Sequence, residues 1–146
     1  GHGMRVAVGQ DEHGPRMDKR HLSPAGLRPP FGRYHHLVEV TGATRLLFVS
    51  GQLGVAADGT VPDDPGEQAR LAFAAIDACL EAAGMGRGQV VRLNAFLTEA
   101  EYRPSYMAVR DGWVADPPPA STLVVVKALA LPACKVEIEA VAAAAA

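Results

Sequence analysis

Glu137, in the segment KVEIE near the C-terminus, is the ionisable residue of most chemical interest in the sequence. Alternation along a strand places its side chain on the face opposite Val136 and Ile138. In a late strand that is expected to be central, such a carboxylate could position or deprotonate a water molecule. The simpler interpretation is a solvated carboxylate that pairs with Lys135 or Arg92, and the strand pattern leaves both interpretations open.

A second candidate is the junction PPPASTLVVV, residues 117–126, where three prolines give way to β-branched residues. Because proline ends a helix and valine favours a strand, the junction predicts the start of a strand buried on both faces. Ser121 and Thr122 lie at this junction. Their hydroxyl groups would also suit the lining of an uncharged binding site.

Other arrangements of reactive residues give no support to metal or nucleotide chemistry. His35 and His36 are adjacent, so a regular strand directs their side chains to opposite faces and away from a common metal ion. Cys79 and Cys134 belong to no CxxC motif and are expected to be reduced, mostly buried thiols. There is no GxSxG, GxGxxG or P-loop motif. We therefore predict neither a metal nor another cofactor.

The composition is typical of one domain that binds neither nucleic acid nor a membrane. The chain has 146 residues, 49% of them hydrophobic, and a net charge of −2. It has no basic block and few aromatic residues, and no apolar run approaches the roughly 20 residues that span a bilayer. We expect a cytoplasmic protein. Residues 1–16 are interpreted as a cloning remnant or a disordered N-terminal extension, and residues 17–146 as a single domain.

The elements that must position these residues can be predicted from periodicity. Residues 34–40 and 45–50 are predicted to form a hairpin, and the glycines of Gly51-Gln52-Leu53-Gly54 indicate a bulge or a close approach of ligand and backbone. Further strands are expected at residues 89–98, 121–131 and 134–141.

Two helices are predicted between the strands. Asp64 is a good N-cap, with proline at the first helical position and Glu67 at the third, and Gly84 is the expected stop. A second helix begins near Pro104 and directs Tyr106, Val109 and Trp113 to one side. The order predicts an α+β fold in which two helices pack on one face of a mixed sheet, leaving the other face to meet another subunit.

Five segments, in this order and spacing, resemble the Rid family, also called YjgF-like or endoribonuclease L-PSP. They are FVSGQLGV (48–55), EQARLAFAAIDACLEAAG (67–84), VVRLNAFLT (90–98), PAST (119–122) and KVEIEAVA (135–142). The resemblance implies a chorismate mutase-like fold, a homotrimer, and clefts between adjacent subunits. It also implies hydrolysis of reactive enamines and imines, such as 2-aminoacrylate, to a 2-keto acid and ammonia without a metal or cofactor.

The resemblance also implies site residues. They are Glu137, Tyr34, Ser50, Gly51, Tyr106, Ser121 and Leu123. Glu137 matches the glutamate that places the attacking water, whereas Tyr34, Ser50 and Gly51 match pocket residues. In contrast, Ser121 stands where deaminating members carry the arginine that binds the substrate carboxylate. Leu123 and Tyr106 replace a frequent cysteine and asparagine.

The missing arginine predicts a change of ligand. A guanidinium makes paired, charge-assisted bonds to a carboxylate, which a serine hydroxyl cannot replace. We therefore expect an intersubunit cleft for a small, largely neutral or aromatic-containing metabolite, made more apolar by Leu123, Tyr106 and Trp113. Imine hydrolysis with Glu137 is the leading hypothesis. The alternatives are a non-catalytic trimer that binds a small ligand or serves as an interaction module and, more remotely, a ribonuclease. Whether Arg33, Arg92 or Arg103 replaces the missing arginine is left open.

Overall fold

The computed structural model of the protein describes residues 3–8 and 17–146. Its seven strands are β1 (Gly3–Val8), β2 (Met17–Leu22), β3 (Leu37–Thr41), β4 (Arg45–Leu53), β5 (Val90–Leu97), β6 (Ala120–Val125) and β7 (Val136–Ala144). The helices are α1 (Pro65–Ala82) and α2 (Arg103–Trp113), and 3₁₀ turns at Arg87–Gln89 and Ala100–Tyr102 precede β5 and α2.

A mixed four-stranded sheet forms the centre of the fold, in the order β4-β7-β5-β6. The strand β7 is central and antiparallel to both neighbours, whereas β6 runs parallel to β5. Helix α1 packs on β4, β7 and α2, and the core lies between the helices and one face of the sheet. Its large side chains are Phe73, Ile76, Leu80, Leu93, Leu97, Tyr106, Trp113 and Ile138. The predicted α+β architecture, with two helices on one face of a mixed sheet, is confirmed.

The first three strands form a separate antiparallel sheet, β1-β2-β3. The predicted hairpin between residues 34–40 and 45–50 is therefore wrong, because β3 pairs with β2 and β4 pairs with β7. The turn after β3 contains Gly42 at φ +79°, and the amide of Thr44 already donates to the carbonyl of Ala144. This hydrogen bond lies one residue before β4 and joins the start of that strand to the end of β7.

Residues 1–16 were expected to be unstructured, yet Gly3–Val8 pairs with β2 as strand β1. The rest of that segment lies outside the described residues. The division at residue 17 between an extension and a domain stays a prediction.

Helix α1 follows its predicted signals closely. The Asp64 carboxylate accepts a 2.9 Å hydrogen bond from the Glu67 amide, and Pro65 is the first helical residue. At the other end Gly84 has φ +67°, and its amide donates to the Glu81 carbonyl. Gln68, a polar residue of this helix, is fully buried, and its side-chain amide donates to the carbonyls of Pro62 and Ala133.

Strand β6 is an edge strand and is not buried on both faces as predicted. Val124 and Val125 are exposed, although both belong to the apolar run that suggested a central strand. The apolar run in the sequence carries no information on the order of the strands. In the sheet, β6 lies outside β5 and pairs with it in parallel, and the connection between the two strands contains α2. Within the described residues, no helix is long and apolar enough to cross a bilayer.

Candidate functional site

Glu137 pairs with Leu53 on β4, beside a β-bulge that lies opposite Glu139. Val49 pairs with Ala140 and Gln52 pairs with Ile138, so Ser50 and Gly51 together oppose a single residue of β7. A Cβ at Gly51 would overlap the Glu137 carboxylate. The bulge predicted from the glycines is present, and it brings the carboxylate against bare backbone.

Neither of the ion-pair partners expected for Glu137 holds it. The Lys135 ammonium lies 3.1 Å from Asp63, and the Arg92 guanidinium donates a 2.8 Å hydrogen bond to the Thr122 hydroxyl. In the part of the chain that the structure describes, no cation lies within 4.0 Å of the Glu137 carboxylate. Its half-buried carboxylate borders an open cavity of 330 Å³ with Gly51, Phe96 and the loop after β6.

A larger pocket of 520 Å³ lies at the start of β6, between the segment before β3 and helix α2. Tyr34, Ser121 and Leu123, which were predicted as site residues, line it. Its cationic side chains are Arg28, Arg92, Arg103 and Arg110, and His35 and His36 also line it. No aspartate or glutamate is among the described residues that form its walls.

Arg110 is the charged residue that approaches Ser121. Its side chain is 3% exposed, and Nη1 lies 3.4 Å from the Ser121 Oγ. The Nε and Nη2 edge of the guanidinium donates to the Asp111 Oδ1 atom, at 3.2 and 3.1 Å. Gly32 packs so closely that a Cβ there would meet this guanidinium. The guanidinium of Arg110, on α2, therefore lies beside Ser121, the position at which the family's arginine is missing.

Tyr34 joins the inner and outer parts of this pocket. Its hydroxyl accepts a 3.2 Å hydrogen bond from the Phe31 amide and a 3.4 Å bond from Arg28 Nη1, and the Arg110 guanidinium lies 5.6 Å from its ring centre. The hydrogen bond from Arg28, reinforced by the charges of Arg28 and Arg110, lowers the pKa of Tyr34. The direction of this shift reflects the positive potential of the pocket.

Tyr106 lies behind the pocket wall and not in it. Its side chain is fully buried in the core, with its ring stacked 6.2 Å from Phe73 and 5.9 Å from the Arg110 guanidinium. Its hydroxyl has no hydrogen-bond partner at ordinary distance and angle, and the polar side chains that act on it are those of Arg110 and Ser121. Burial raises the pKa of Tyr106 to about 12, against the opposing effect of Arg110.

Trp113, which was also expected to make the cleft more apolar, does not line this pocket either. Trp113 stacks on Phe73 at 4.6 Å and donates its indole N–H to Asp77, away from the pocket at Ser121. With Tyr106 and Trp113 both in the core, the charged side chains of the larger pocket are arginines, and its apolar lining comes from Phe31, Met107, Ala120 and Leu123. The physical reason is that α2 directs its large aromatic side chains towards α1 and the sheet, where they bury the most apolar surface.

The predicted site residues fall into two groups on opposite faces of the sheet. Ser121 and Leu123 pair with Leu93 and Ala95, which face the core beneath the helices. Glu137 pairs with Phe96, whose side chain alternates to the other face. Within one chain, the sheet therefore separates Glu137, Ser50 and Gly51 from Ser121 and Leu123, although Arg92 and Thr122 line the same pocket from the Glu137 face.

Arg28 and Arg110 were missed from the sequence. The signal for Arg110 was present, because it lies four residues after Tyr106 and three before Trp113, on the helix face that was predicted to be buried. Nothing in the sequence pattern marks Arg28, which lies in an irregular segment.

The two histidines both line the pocket, bound to backbone oxygens. His35 Nδ1 lies 2.8 Å from the Pro118 carbonyl, and His36 Nε2 lies 2.6 Å from the Arg28 carbonyl. Because a carbonyl accepts, each of these nitrogens carries the proton. No group of three histidine, cysteine or acidic side chains suited to a metal ion occurs in the described part of the chain.

Comparisons with known proteins agree with this architecture. The model of the endoribonuclease L-PSP family matches residues 26–144. A RutC family protein of Aquifex aeolicus is 35% identical over 116 residues, which cover 77% of this chain and 90% of that protein. The crystal structure of YyfB from Yersinia pestis, a protein of unknown function of the conserved Rid family, superposes with a TM-score of 0.75 at 31% identity over 86% of this chain and 98% of that one.

A shorter match is to a protein whose name gives a proposed activity. TdcF of Escherichia coli K12, named as a proposed reactive intermediate deaminase, is 34% identical over 55 residues, covering 37% of this chain and 43% of TdcF. The family match over most of the chain and the shared fold lead to one conclusion: this chain belongs to the endoribonuclease L-PSP family, the Rid family that its sequence segments resemble.

Proposed function

We propose that the protein hydrolyses the imine or enamine of a small carboxylic acid, with Glu137 positioning the attacking water. The observation that carries the proposal is the carboxylate of Glu137 against the bulge at Gly51, half-buried and without a cation to neutralise it among the described residues. Family membership and the partial similarity to TdcF support the reaction class.

Arg110 takes the part of the missing carboxylate-binding arginine in this proposal. It reaches the neighbourhood of Ser121 from α2, with Nη1 directed at the serine hydroxyl and the other guanidinium nitrogens fixed by Asp111. A guanidinium fixed in this way is preorganised for an anion, because little conformational freedom is lost on binding. This replaces the expectation of a largely neutral ligand.

The reaction site requires two copies of the chain. Glu137 and Arg110 lie on opposite sides of one sheet, so a substrate held at Arg110 of one protomer meets the Glu137 of a neighbour in a cleft between subunits. The proposed assembly is the homotrimer implied by the family. The cytoplasm remains the predicted location.

The chemistry needs only water and one base. A 2-amino-enoate first takes a proton on its terminal carbon and becomes the 2-imino acid. Water then adds to the imine carbon while the Glu137 carboxylate accepts a proton from it. The protonated Glu137 returns this proton to the nitrogen, which leaves as ammonia when the C–N bond breaks. The hydroxyl oxygen then forms the carbonyl of the 2-keto acid and releases its own proton to solvent, and the Glu137 carboxylate is restored.

The test measures pyruvate and ammonia release from freshly generated 2-aminoacrylate. We expect Glu137→Gln to lower kcat by about 10²-fold or more, the usual scale for a lost general base. Gly51→Ala should fold, because the overlapping atoms are the end of a flexible side chain, but should displace the carboxylate and lower kcat. Glu81→Gln, an exposed residue on α1, is the control and should match the wild type.

Full activity in Glu137→Gln would contradict the role of the carboxylate. Ligand binding without turnover in the wild type would contradict the reaction and favour the non-catalytic trimer. Cleavage of labelled RNA by the purified protein would support the ribonuclease alternative instead.

A further inference from the structure

Two arginines at the mouth of the larger pocket have no part in the proposed reaction. The guanidinium carbon of Arg28 lies 3.8 Å from the centre of the Phe31 ring, and that of Arg103 lies 6.0 Å from the same centre. Phe31 itself is 66% exposed. Two cations from different segments of the chain therefore lie beside one accessible aromatic ring.

The charges at this mouth are not neutralised by the protein. Arg110, deeper in the pocket, is paired with Asp111. In contrast, neither Arg28 nor Arg103 has a carboxylate within 4.0 Å in the portion of the chain that the structure describes. Two like charges near one ring repel each other, so an anion between them would be favoured.

Arg28 is held in place by its neighbours. The His36 Nε2–H donates to the Arg28 carbonyl at 2.6 Å, and Arg28 Nη1 donates to the Tyr34 hydroxyl at 3.4 Å. The same Tyr34 ring lies against the Arg110 guanidinium. Tyr34 and Phe31 thus separate an inner cationic position from an outer one within a single pocket.

We propose that this pocket selects ligands with two anionic groups. One carboxylate binds at Arg110 and Ser121, and the second group, a carboxylate or a phosphate, binds between Arg28 and Arg103. The inference rests on the proposed function for the inner carboxylate and adds the substrate class: imines of dianionic acids. The outer position distinguishes such acids from a monocarboxylate like pyruvate.

The test compares ligands that differ only at the outer group. Isothermal titration calorimetry of the whole protein would measure the affinities of succinate, butyrate and 3-phosphonopropionate, none of which requires turnover. We expect succinate to bind at least tenfold more tightly than butyrate, which has the same four carbons and one charge. The ratio of succinate to 3-phosphonopropionate affinity then tells whether the outer group is preferably a carboxylate or a phosphate.

Variants assign the effect to the two arginines. Arg28→Gln and Arg103→Gln should each reduce the preference for succinate over butyrate several-fold. Arg110→Gln should weaken both ligands. Arg70→Gln is the control, because this exposed arginine of α1 lies outside the pocket and loses the same charge.

Equal affinity for succinate and butyrate, or no binding of either, would overturn the proposal. A preference for succinate that survives in the Arg28→Gln/Arg103→Gln double variant would also overturn it. Failure of the proposed function gives a different result: succinate remains preferred, but no imine releases ammonia.

Discussion

Arg110 shows how a charge is kept in a buried position at this site. Removing a guanidinium from water is costly unless the charge is paired and its donors are bonded. Asp111 accepts from two of its nitrogens, and the rings of Tyr34 and Tyr106 lie 5.6 and 5.9 Å from it, within the range of cation–π attraction. The arrangement leaves both N–H groups of Nη1 and one of Nη2 free of Asp111, and Nη1 is the nitrogen directed at Ser121.

Tyr106 provides a prediction on pH dependence. Burial raises its pKa to about 12 in the folded protein, whereas an unfolded chain has a tyrosine pKa of about 10. Between these values the unfolded state has lost a proton that the folded state keeps, so stability falls as the pH rises. Tyr106→Phe should abolish this part of the decline, about 2 to 3 kcal/mol between pH 10 and 12.

Urea unfolding of both proteins at pH 8, 10 and 11.5 measures this difference. At pH 8 the variant should lie within about 1 kcal/mol of the wild type, because the lost hydroxyl has no hydrogen-bond partner at ordinary distance and angle. Parallel declines for the two proteins above pH 10 would show that the Tyr106 phenol is not the responsible group.

The site could be predicted only in part from the sequence, and the reason lies in how side chains are directed. The direction of the Glu137 side chain and the bulge at Gly51 could be predicted, because side chains alternate along a strand and a glycine marks a bulge. Arg110 was missed because a charged residue on a helix is ordinarily expected in solvent, although its spacing placed it on the buried face. Arg28 depends on the course of an irregular segment, which no periodicity describes.

At the scale of the elements, α1 is specified by local signals and the strand pairing is not. Caps act within four residues, so Asp64 and Gly84 set the ends of α1 independently of the rest of the fold. The pairing of β3 with β2 and the edge position of β6 depend on contacts between distant segments. A strand's own sequence carries little information about which strand lies beside it.

Asp64 allows the local signal to be tested. Asp64→Ala removes the acceptor of the Glu67 amide at the start of α1, and should lower the free energy of unfolding by about 1 kcal/mol. Asp64→Asn keeps an acceptor of the same shape and should lie within a few tenths of a kcal/mol of the wild type. Denaturant unfolding near neutral pH measures both. Equal losses in the two variants would mean that the charge, and not the cap, is what matters.

At the scale of the whole molecule, the sheet face opposite the helices carries exposed apolar side chains beside the carboxylate of Glu137. Phe48 is 72% exposed and Leu46 is 61% exposed, both on β4 and both directed away from the core that holds Leu47 and Val49. Val124 extends the exposed apolar surface on β6. Exposed apolar side chains grouped on one face are typical of an association surface, and the predicted homotrimer would cover them.

Phe48→Glu tests this association and its link to catalysis. A carboxylate among these exposed apolar side chains should prevent assembly, so sedimentation equilibrium should change from three times the 15.3 kDa chain mass to a single chain. If the reaction needs Glu137 and Arg110 from different protomers, the monomer should also lose ammonia release although it keeps both residues. Leu27→Glu places the same charge on an exposed leucine in a turn outside the four-stranded sheet and should leave both properties intact. A monomeric Phe48→Glu protein with full activity would show that one chain contains the complete site.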